Sequence, residues 1–454
     1  MKIDNLRNIA IVAHVDHGKT TLVSELLWQS GILRRQHSTH LLDNNALEKE
    51  RGITIIAKNT ALVWKNIKIN LVDTPGHADF SGEVERILSM VDSVLVLVDA
   101  VEGPMPQTRF VTEMALSNGL APIVIINKCD RAASRTSWVL DRTFDLFEQL
   151  GATDRQLDFP TVYCSAIEGY ARKDPSDNDR NMDFLFNTIV EKVRPPIAKT
   201  GPFQMQISAL DHSEYVGTIG IGKVVRGGLE KGGRVEILGT DGSPRKGKIN
   251  EIFGYHGLER IPIDSAMSGD IVAITGISDL QISDTVCLAD HAERLAVLRV
   301  EDPTITVSLD ISDSPFASLE GDFVTSRQLL ERLKSEIVHN VALRISVFPE
   351  SSGILVSGRG ELHLSVLFET MRREGYSFCV GRPVPIVRTM DGIKSEPFEL
   401  AVIDIPQEYQ GRVMEQLGSR GGRLQDIGAS GNGDCRLEYL IPSRGLIGYR
   451  TEFL

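Results

Sequence analysis

From Asn8 to about Arg194, short aliphatic runs alternate with stretches whose apolar residues recur at helical spacing. The runs at 8–12, 68–72, 94–98, 122–126 and 160–163 read as buried strands. Between the second and third, Val84, Ile87, Leu88 and Val91 fall at i, i+3, i+4 and i+7, which predicts a helix with one apolar face. Strand–helix alternation of this kind builds a mostly parallel sheet with helices on both faces. The pattern stops at Arg194-Pro195-Pro196, and Gly201-Pro202 follows as a second breaker. Residues 203–293 are Gly-rich, with alternating stretches such as 217–226 and 234–238 and the turn Gly239-Thr240-Asp241-Gly242, the pattern of a small antiparallel barrel.

After Pro303 the mixture of helix and strand returns. A strand at 304–309, a helix carrying Leu329, Leu330, Leu333 and Ile337, strands at 342–347 and 353–356, a helix at 361–373 and a strand near Phe378 give a β-α-β-β-α-β order. That is the ferredoxin-like arrangement. Beyond Arg382-Pro383 the order restarts with a strand at 398–405, a helix at 408–418 and a strand at 437–441, and the unit is expected to be incomplete at Leu454.

Composition narrows the function classes. The longest aliphatic runs are far shorter than the ~18 residues a membrane span needs, so no membrane association is expected. The start, Met1-Lys2-Ile3-Asp4-Asn5, has neither the apolar core of a secretory signal nor an Arg-rich transit composition, and a cytoplasmic location is expected. Five cysteines, at 129, 164, 287, 379 and 435, have spacings that suit neither a metal motif nor a disulfide framework. The net charge of −12 argues against a generally basic, phosphate-coating surface. Residues 371–454, however, carry 11 Arg or Lys against 11 Asp or Glu, so the negative excess lies upstream and any nucleic-acid contact belongs on the C-terminal side.

The chemistry is concentrated at strand ends. The first strand runs into Ala13-His14-Val15-Asp16-His17-Gly18-Lys19-Thr20, with Thr21 opening a helix. Here backbone N–H groups of Asp16, His17 and Gly18 and the helix start can face phosphates, Lys19 can neutralise them, and Thr20 can ligate Mg²⁺. Ala13 stands where glycine is usual, which is tolerable if its φ stays negative. Asp73-Thr74-Pro75-Gly76-His77 follows the second strand: Asp73 is placed to support Mg²⁺ through water and Gly76 to bring its N–H to the γ-phosphate. Thr54, in Arg51-Gly52-Ile53-Thr54, is the candidate second hydroxyl on the metal, within a polar stretch at 29–58 that reads as mobile. Alone, that tetrapeptide would read equally well as a strand edge.

Asn127-Lys128-Cys129-Asp130 closes the fourth strand. The Asp130 carboxylate matches the N1–H and amino group of guanine and mismatches adenine, which selects GTP over ATP. Asn127 and Lys128 would fix the loop and cover the base, and Ser165-Ala166 can offer a backbone N–H to the guanine oxygen. His77 is the candidate to orient the attacking water, with Val15 and Ile53 as an apolar gate beside it. The expected fold is therefore multidomain: a P-loop NTPase G domain with a doubly wound, mostly parallel sheet at 1–198, a β-barrel at 202–293, and ferredoxin-like α+β domains at 302–382 and 396–454. The expected activity is Mg²⁺-dependent hydrolysis of GTP to GDP.

In this form these motifs closely resemble those of the translational GTPases. The stretches Val356-Ser357-Gly358-Arg359-Gly360-Glu361-Leu362-His363-Leu364-Ser365, Met371-Arg372-Arg373-Glu374-Gly375-Tyr376 and Ile441-Pro442-Ser443-Arg444-Gly445-Leu446-Ile447-Gly448-Tyr449 resemble the BipA, or TypA, branch. The resemblance implies a monomer that binds the ribosome through rRNA and ribosomal proteins, with a role in stress adaptation or large-subunit assembly in bacteria. It gives Asp16 to Thr21 the phosphates, Thr20 and Thr54 the metal, Asn127, Lys128 and Asp130 the base, and His77 activation by the ribosome. Members of that branch normally continue past the point corresponding to Leu454. Two alternatives stand beside this reading: a related GTPase of another purpose, and a nucleotide-gated ribosome-binding module with little hydrolysis.

Overall fold

Every side chain of Leu6–Ala13 (β1) is enclosed, as expected of a central strand covered on both faces. In the computed structural model, which describes residues 3–33, 46–51, 54, 57–213, 215–298, 302–317, 321–340, 342–347, 353–390, 392–431 and 434–453, this strand centres a seven-stranded sheet. The chain continues through α1 (Lys19–Gln29), α2 (Ala46–Arg51), β2 (Lys58–Trp64), β3 (Ile67–Asp73), α3 (Ser81–Leu88), β4 (Ser93–Asp99), α4 (Pro106–Ser117) and β5 (Ala121–Asn127). It then forms α5 (Thr136–Gln149), α6 (Asp154–Leu157), β6 (Thr161–Ser165), β7 (Tyr170–Arg172) and α7 (Asp183–Lys192). The strand order is β2-β3-β1-β4-β5-β6-β7, parallel except for the antiparallel edges β2 and β7. The order reverses at β1, and a ligand crevice is expected beyond the carboxyl end of a strand at such a switch point.

Alternate side chains of the same strands build two cores. Ile9, Ile11, Leu95 and Ile125 pack with Leu22, Val23 and Leu26 of α1 and Phe186 and Ile189 of α7. Ala10, Val12, Val96 and Val124 pack with Val84, Ile87, Val111 and Phe147, and this second core runs on into Ile219, Ile221 and Ile271 of the next domain.

All five strands read from the sequence form, but two edge strands, β2 and β7, were not expected. Helix α3 also ends at Leu88, short of Val91, which is buried in the turn that follows. The stretch at 29–58, expected to be mobile, contains helix α2 among its described residues. Glu48 of that helix is buried and pairs with Lys58 at 2.6 Å, which ties the helix to the start of β2.

Residues 204–288 form an antiparallel sheet of eight strands around Phe203, Met205, Ile207, Val235, Ile237, Val272, Ile274 and Val286, the expected barrel. Its Ile252–His256 and Glu259–Ile263 hairpin reaches the edge of the G domain. Gly257, at φ +58°, exchanges backbone hydrogen bonds with Ala61 of β2 at 2.7 and 3.1 Å, and a Cβ on it would lie 2.8 Å from Ile32. At the amino end of the sheet, a polar network joins the two domains. The Asn8 amide donates to Asp92 and to the Gly269 carbonyl, both at 2.8 Å, Lys223 pairs with Asp92 at 2.8 Å, and Asp270 accepts from Lys68 at 2.9 Å and Asn70 at 3.1 Å.

Residues 1–299 make one compact unit and 300–454 a second. In the second, strands Arg344–Val347, Ile354–Gly358, Ile305–Ile311 and Phe378–Val380 lie in that order under helices Ser326–His339 and Glu361–Arg373. The first of these helices starts at a capping box between Thr325 and Gln328. A further antiparallel sheet in the order Phe398–Pro406, Asp434–Pro442, Arg423–Gly431 packs its core on Val413 and Leu417 of helix Gln410–Ser419. The strand Arg423–Gly431 was not read from the sequence. No helix among the described residues is long and apolar enough to cross a membrane.

Candidate functional site

The carboxyl ends of β1, β3, β4, β5 and β6 bring the motif residues to one rim. At the end of β1, Ala13 keeps the negative φ its methyl group requires, since it is absent from the left-handed positions. The turn is made instead by Asp16 at φ +63° and Gly18 at φ +92°. Gly18 is also pressed against Asn127: a Cβ there would sit 2.5 Å from the Asn127 side-chain nitrogen. It stands as the N-cap of α1 with no side-chain cap, so the first N–H groups of α1 are not engaged by a cap from this residue.

Lys19 reaches across to β3, pairing with Asp73 at 2.8 Å and donating to the Thr74 carbonyl. Asp73 is buried; burial pushes its carboxyl up, and the Lys19 ammonium is the chief group pulling it back. The Thr54 hydroxyl lies 3.5 Å from the other Asp73 oxygen, so the residues picked from three separate motifs meet. Thr20 and Thr21 open α1 in half-buried positions, and Thr74 anchors its loop by donating to the Ile11 carbonyl at 2.8 Å. Ile53, the other half of the suggested gate, lies outside the described residues, as does Gly52.

Gly76 packs close to the phosphate loop: a Cβ on it would lie 2.9 Å from the Ala13 carbonyl oxygen. His77 is partly exposed and turned onto the short helix that follows it, Ala78–Phe80, where its Nδ1 accepts the Asp79 N–H at 3.2 Å and the ring sits edge-on to Phe80.

On the base side, Asn127 is a cross-brace. Its amide donates to the His17 carbonyl at 2.8 Å and its carbonyl accepts the Ala166 N–H at 3.0 Å. Of the Ser165-Ala166 pair expected to offer guanine a backbone N–H, Ala166 thus gives its own to Asn127. The buried Ser165 hydroxyl accepts the Glu168 N–H at 3.2 Å and shapes the same turn. Lys128, at φ +64°, donates to the Asp16 carbonyl at 2.5 Å and pairs with Asp99 at 2.7 Å. Asp130 is exposed at the rim. Burial pushes the Cys129 thiol up to about 11, so it stays protonated as a small packing group.

Two residues that sequence reasoning missed complete the arrangement. Asp99, fully buried at the end of β4, accepts from Lys128 and from the Val101 and Glu102 amides. Burial alone would raise its carboxyl, but those hydrogen bonds hold it below the usual range. An acidic residue closing a buried strand, as Asp73 does, was the signal. Gln107, the second residue of α4, accepts the Val15 N–H at 3.2 Å. Nothing in its sequence neighbourhood marks it. His17, whose ring is fully enclosed, is pushed down to about 4 by burial, then by His14. It is neutral, so its 3.5 Å approach to Glu102 is not an ion pair.

Residues 4–195 match the Elongation factor Tu GTP binding domain family, 217–287 the Elongation factor Tu domain 2 family and 393–454 the Elongation factor G C-terminus family. The chain is 56% identical over its whole length to the Large ribosomal subunit assembly factor BipA of Haemophilus influenzae, of which it covers 74%. It is 55% identical to that of Escherichia coli K12 and 50% identical to that of Bacillus subtilis, covering 75% of each. A solved structure of a Thermus thermophilus protein, 16% identical, superposes with a TM-score of 0.68 over 99% of this chain and 94% of that one, a likeness of fold. A GTP-binding domain, an elongation-factor barrel and full-length identity of this degree lead to one conclusion: the chain belongs to the BipA (TypA) family of translational GTPases.

Proposed function

We propose that this protein is a ribosome-activated GTPase acting in assembly of the large ribosomal subunit. The observation that carries the catalytic part is the meeting of Lys19, Thr54 and Asp73 at the ends of β1 and β3. Lys19 is positioned to exchange the Asp73 carboxylate for phosphate oxygens when GTP binds, and Asp130 to pair with the guanine edge. Thr20 and Thr54 offer hydroxyls, and Asp73 a carboxylate acting through water, to hold Mg²⁺, which when bound neutralises charge developing on the phosphates. This donor set fits an ion that keeps most of its own water.

His77 would orient the attacking water, with Gly76 presenting its N–H to the γ-phosphate. The commitment of His77 Nδ1 to the Asp79 N–H supports a resting arrangement that an external partner must rearrange. The names of the relatives point to that partner, a ribosomal large subunit.

The test uses purified protein with and without ribosomes. Hydrolysis should be slow alone and accelerated by ribosomes, and His77→Ala should abolish the acceleration while leaving GTP affinity unchanged. Absence of any acceleration of the unmodified chain, with ribosome pelleting equal in GDP and in a non-hydrolysable GTP analogue, overturns the ribosome-linked reading.

A further inference from the structure

Gln107 lies at a corner where three elements meet. It follows Pro106, the first residue of α4, and a side chain at this position leans back over the helix start. There its Oε1 accepts the Val15 N–H at 3.2 Å. The same oxygen lies 3.5 Å from the point a Cβ of Gly76 would occupy, and the Ala13 carbonyl oxygen lies 2.9 Å from that point. One carboxamide therefore touches the phosphate loop at the peptide preceding Val15 and borders the glycine of the β3 loop. Both belong to the region where the γ-phosphate is expected, and neither touches the base.

We infer that Gln107 is a positioning residue, which couples the phosphate loop to the Gly76 turn and thereby sets the preference for triphosphate over diphosphate. The inference rests on the reading that Gly76 answers to the γ-phosphate. Its physical basis is preorganisation: with Val15 anchored and Gly76 bordered by a fixed side chain, the Gly76 N–H enters its contact with little reorganisation. Without the carboxamide the Val15 peptide loses its acceptor and the Gly76 turn loses one wall. On the reading above, the phosphate contacts shared with the diphosphate fall to Asp16 to Thr21 and the guanine contact to Asp130, so diphosphate binding should stay intact.

The experiment measures affinities of the full chain for GDP and for the β–γ imido analogue of GTP, in the unmodified protein, Gln107→Met, Gln107→Glu and Gly76→Ala. Methionine keeps the shape and removes the acceptor; its loss should weaken the analogue by about tenfold, the scale of one hydrogen bond, and leave GDP unchanged. Amide exchange at Val15 in the GDP complex should quicken in Gln107→Met and stay slow in Gln107→Glu, which retains an acceptor oxygen. If Gly76→Ala narrows the preference and Gln107→Met does not, the inference about Gln107 fails and the Gly76 reading stands. If neither changes it, the Gly76 reading fails and takes the inference with it. Equal weakening of both nucleotides by Gln107→Met, or unaltered Val15 exchange, also overturns it.

Discussion

At the scale of single residues, the site is a set of short polar side chains that hold loops to one another. Asn127 ties the phosphate loop to the β6 loop, and Lys128, in a left-handed conformation uncommon for lysine, is held there by Asp99 and the Asp16 carbonyl. Most motif residues were legible because they lie at or just beyond the end of a strand and carry a chemistry that a turn alone does not need. Gln107 was not, since its partner, the Val15 N–H, comes from a loop distant in sequence, and Asp99 carried only the signal of a strand-ending acid, its role being set by the distant Lys128. His17 gives this scale its prediction. Its ring faces His14, Asp99, Glu102 and Lys128, and it takes a proton in the folded protein only below about pH 4, against 6.5 when unperturbed. The unfolded chain therefore binds the proton first, so stability is intact above pH 6.5 and falls as pH drops towards 4, by about 3 kcal/mol in all. Denaturant unfolding of the unmodified protein and of His17→Gln from about pH 7.5 to about pH 4 should show the steeper loss in the former; parallel curves would remove His17 as the cause.

At the scale of elements, the strands the pattern revealed are the interior ones, whose continuous apolar runs follow from burial on both faces. The edges were hidden for a physical reason. In β2, Val63 is exposed and Lys58, Asn59 and Trp64 only half-buried, so the run has no clean period, and its turn to β3 is Lys65-Asn66, both at positive φ, without the Asn-Gly signature of that turn. The same mismatch makes the turn improvable. The double substitution Lys65→Asn and Asn66→Gly should stabilise the protein by about 1 kcal/mol, because it relieves a lysine held in the left-handed region and outweighs the loss of the exposed Lys65–Asn187 hydrogen bond. A rise in melting temperature of about 2 °C is the expected readout. A fall would mean that the Lys65–Asn187 bond matters more than the backbone conformation.

At the scale of the molecule, the domain series announced itself through Pro-Pro and Gly-Pro breaks and through changes of period, whereas the joint between the first two domains left no trace in the sequence. That joint is made by residues that look like ordinary surface polar groups: Asn8, Lys68, Asn70, Asp92, Lys223 and Asp270. Asp92→Ala removes the acceptor of both Asn8 and Lys223 and should cost about 2 kcal/mol. Because the Lys223–Asp92 pair crosses the joint, calorimetry should show G-domain and barrel unfolding separating into two transitions. A single undivided transition at the original temperature would show that the apolar contacts through Ile219, Ile221 and Ile271 suffice.

The hairpin turn at Gly257 gives that joint a second meaning. It borders Ile32, just beyond α1, and is hydrogen-bonded to Ala61, in β2, the strand that follows Thr54 in the chain. That strand pairs with β3 in a register that sets Lys58 opposite Asp73, so the hairpin holds the strand that lies beside the Asp73 carboxylate. A shift of the barrel would then act on β2, and, by reciprocity, any effect of that shift on nucleotide affinity would be matched by a restraint of the barrel by bound nucleotide. The hairpin would in this sense serve as a mechanical gauge, reading at the rim of one domain what is bound within the other.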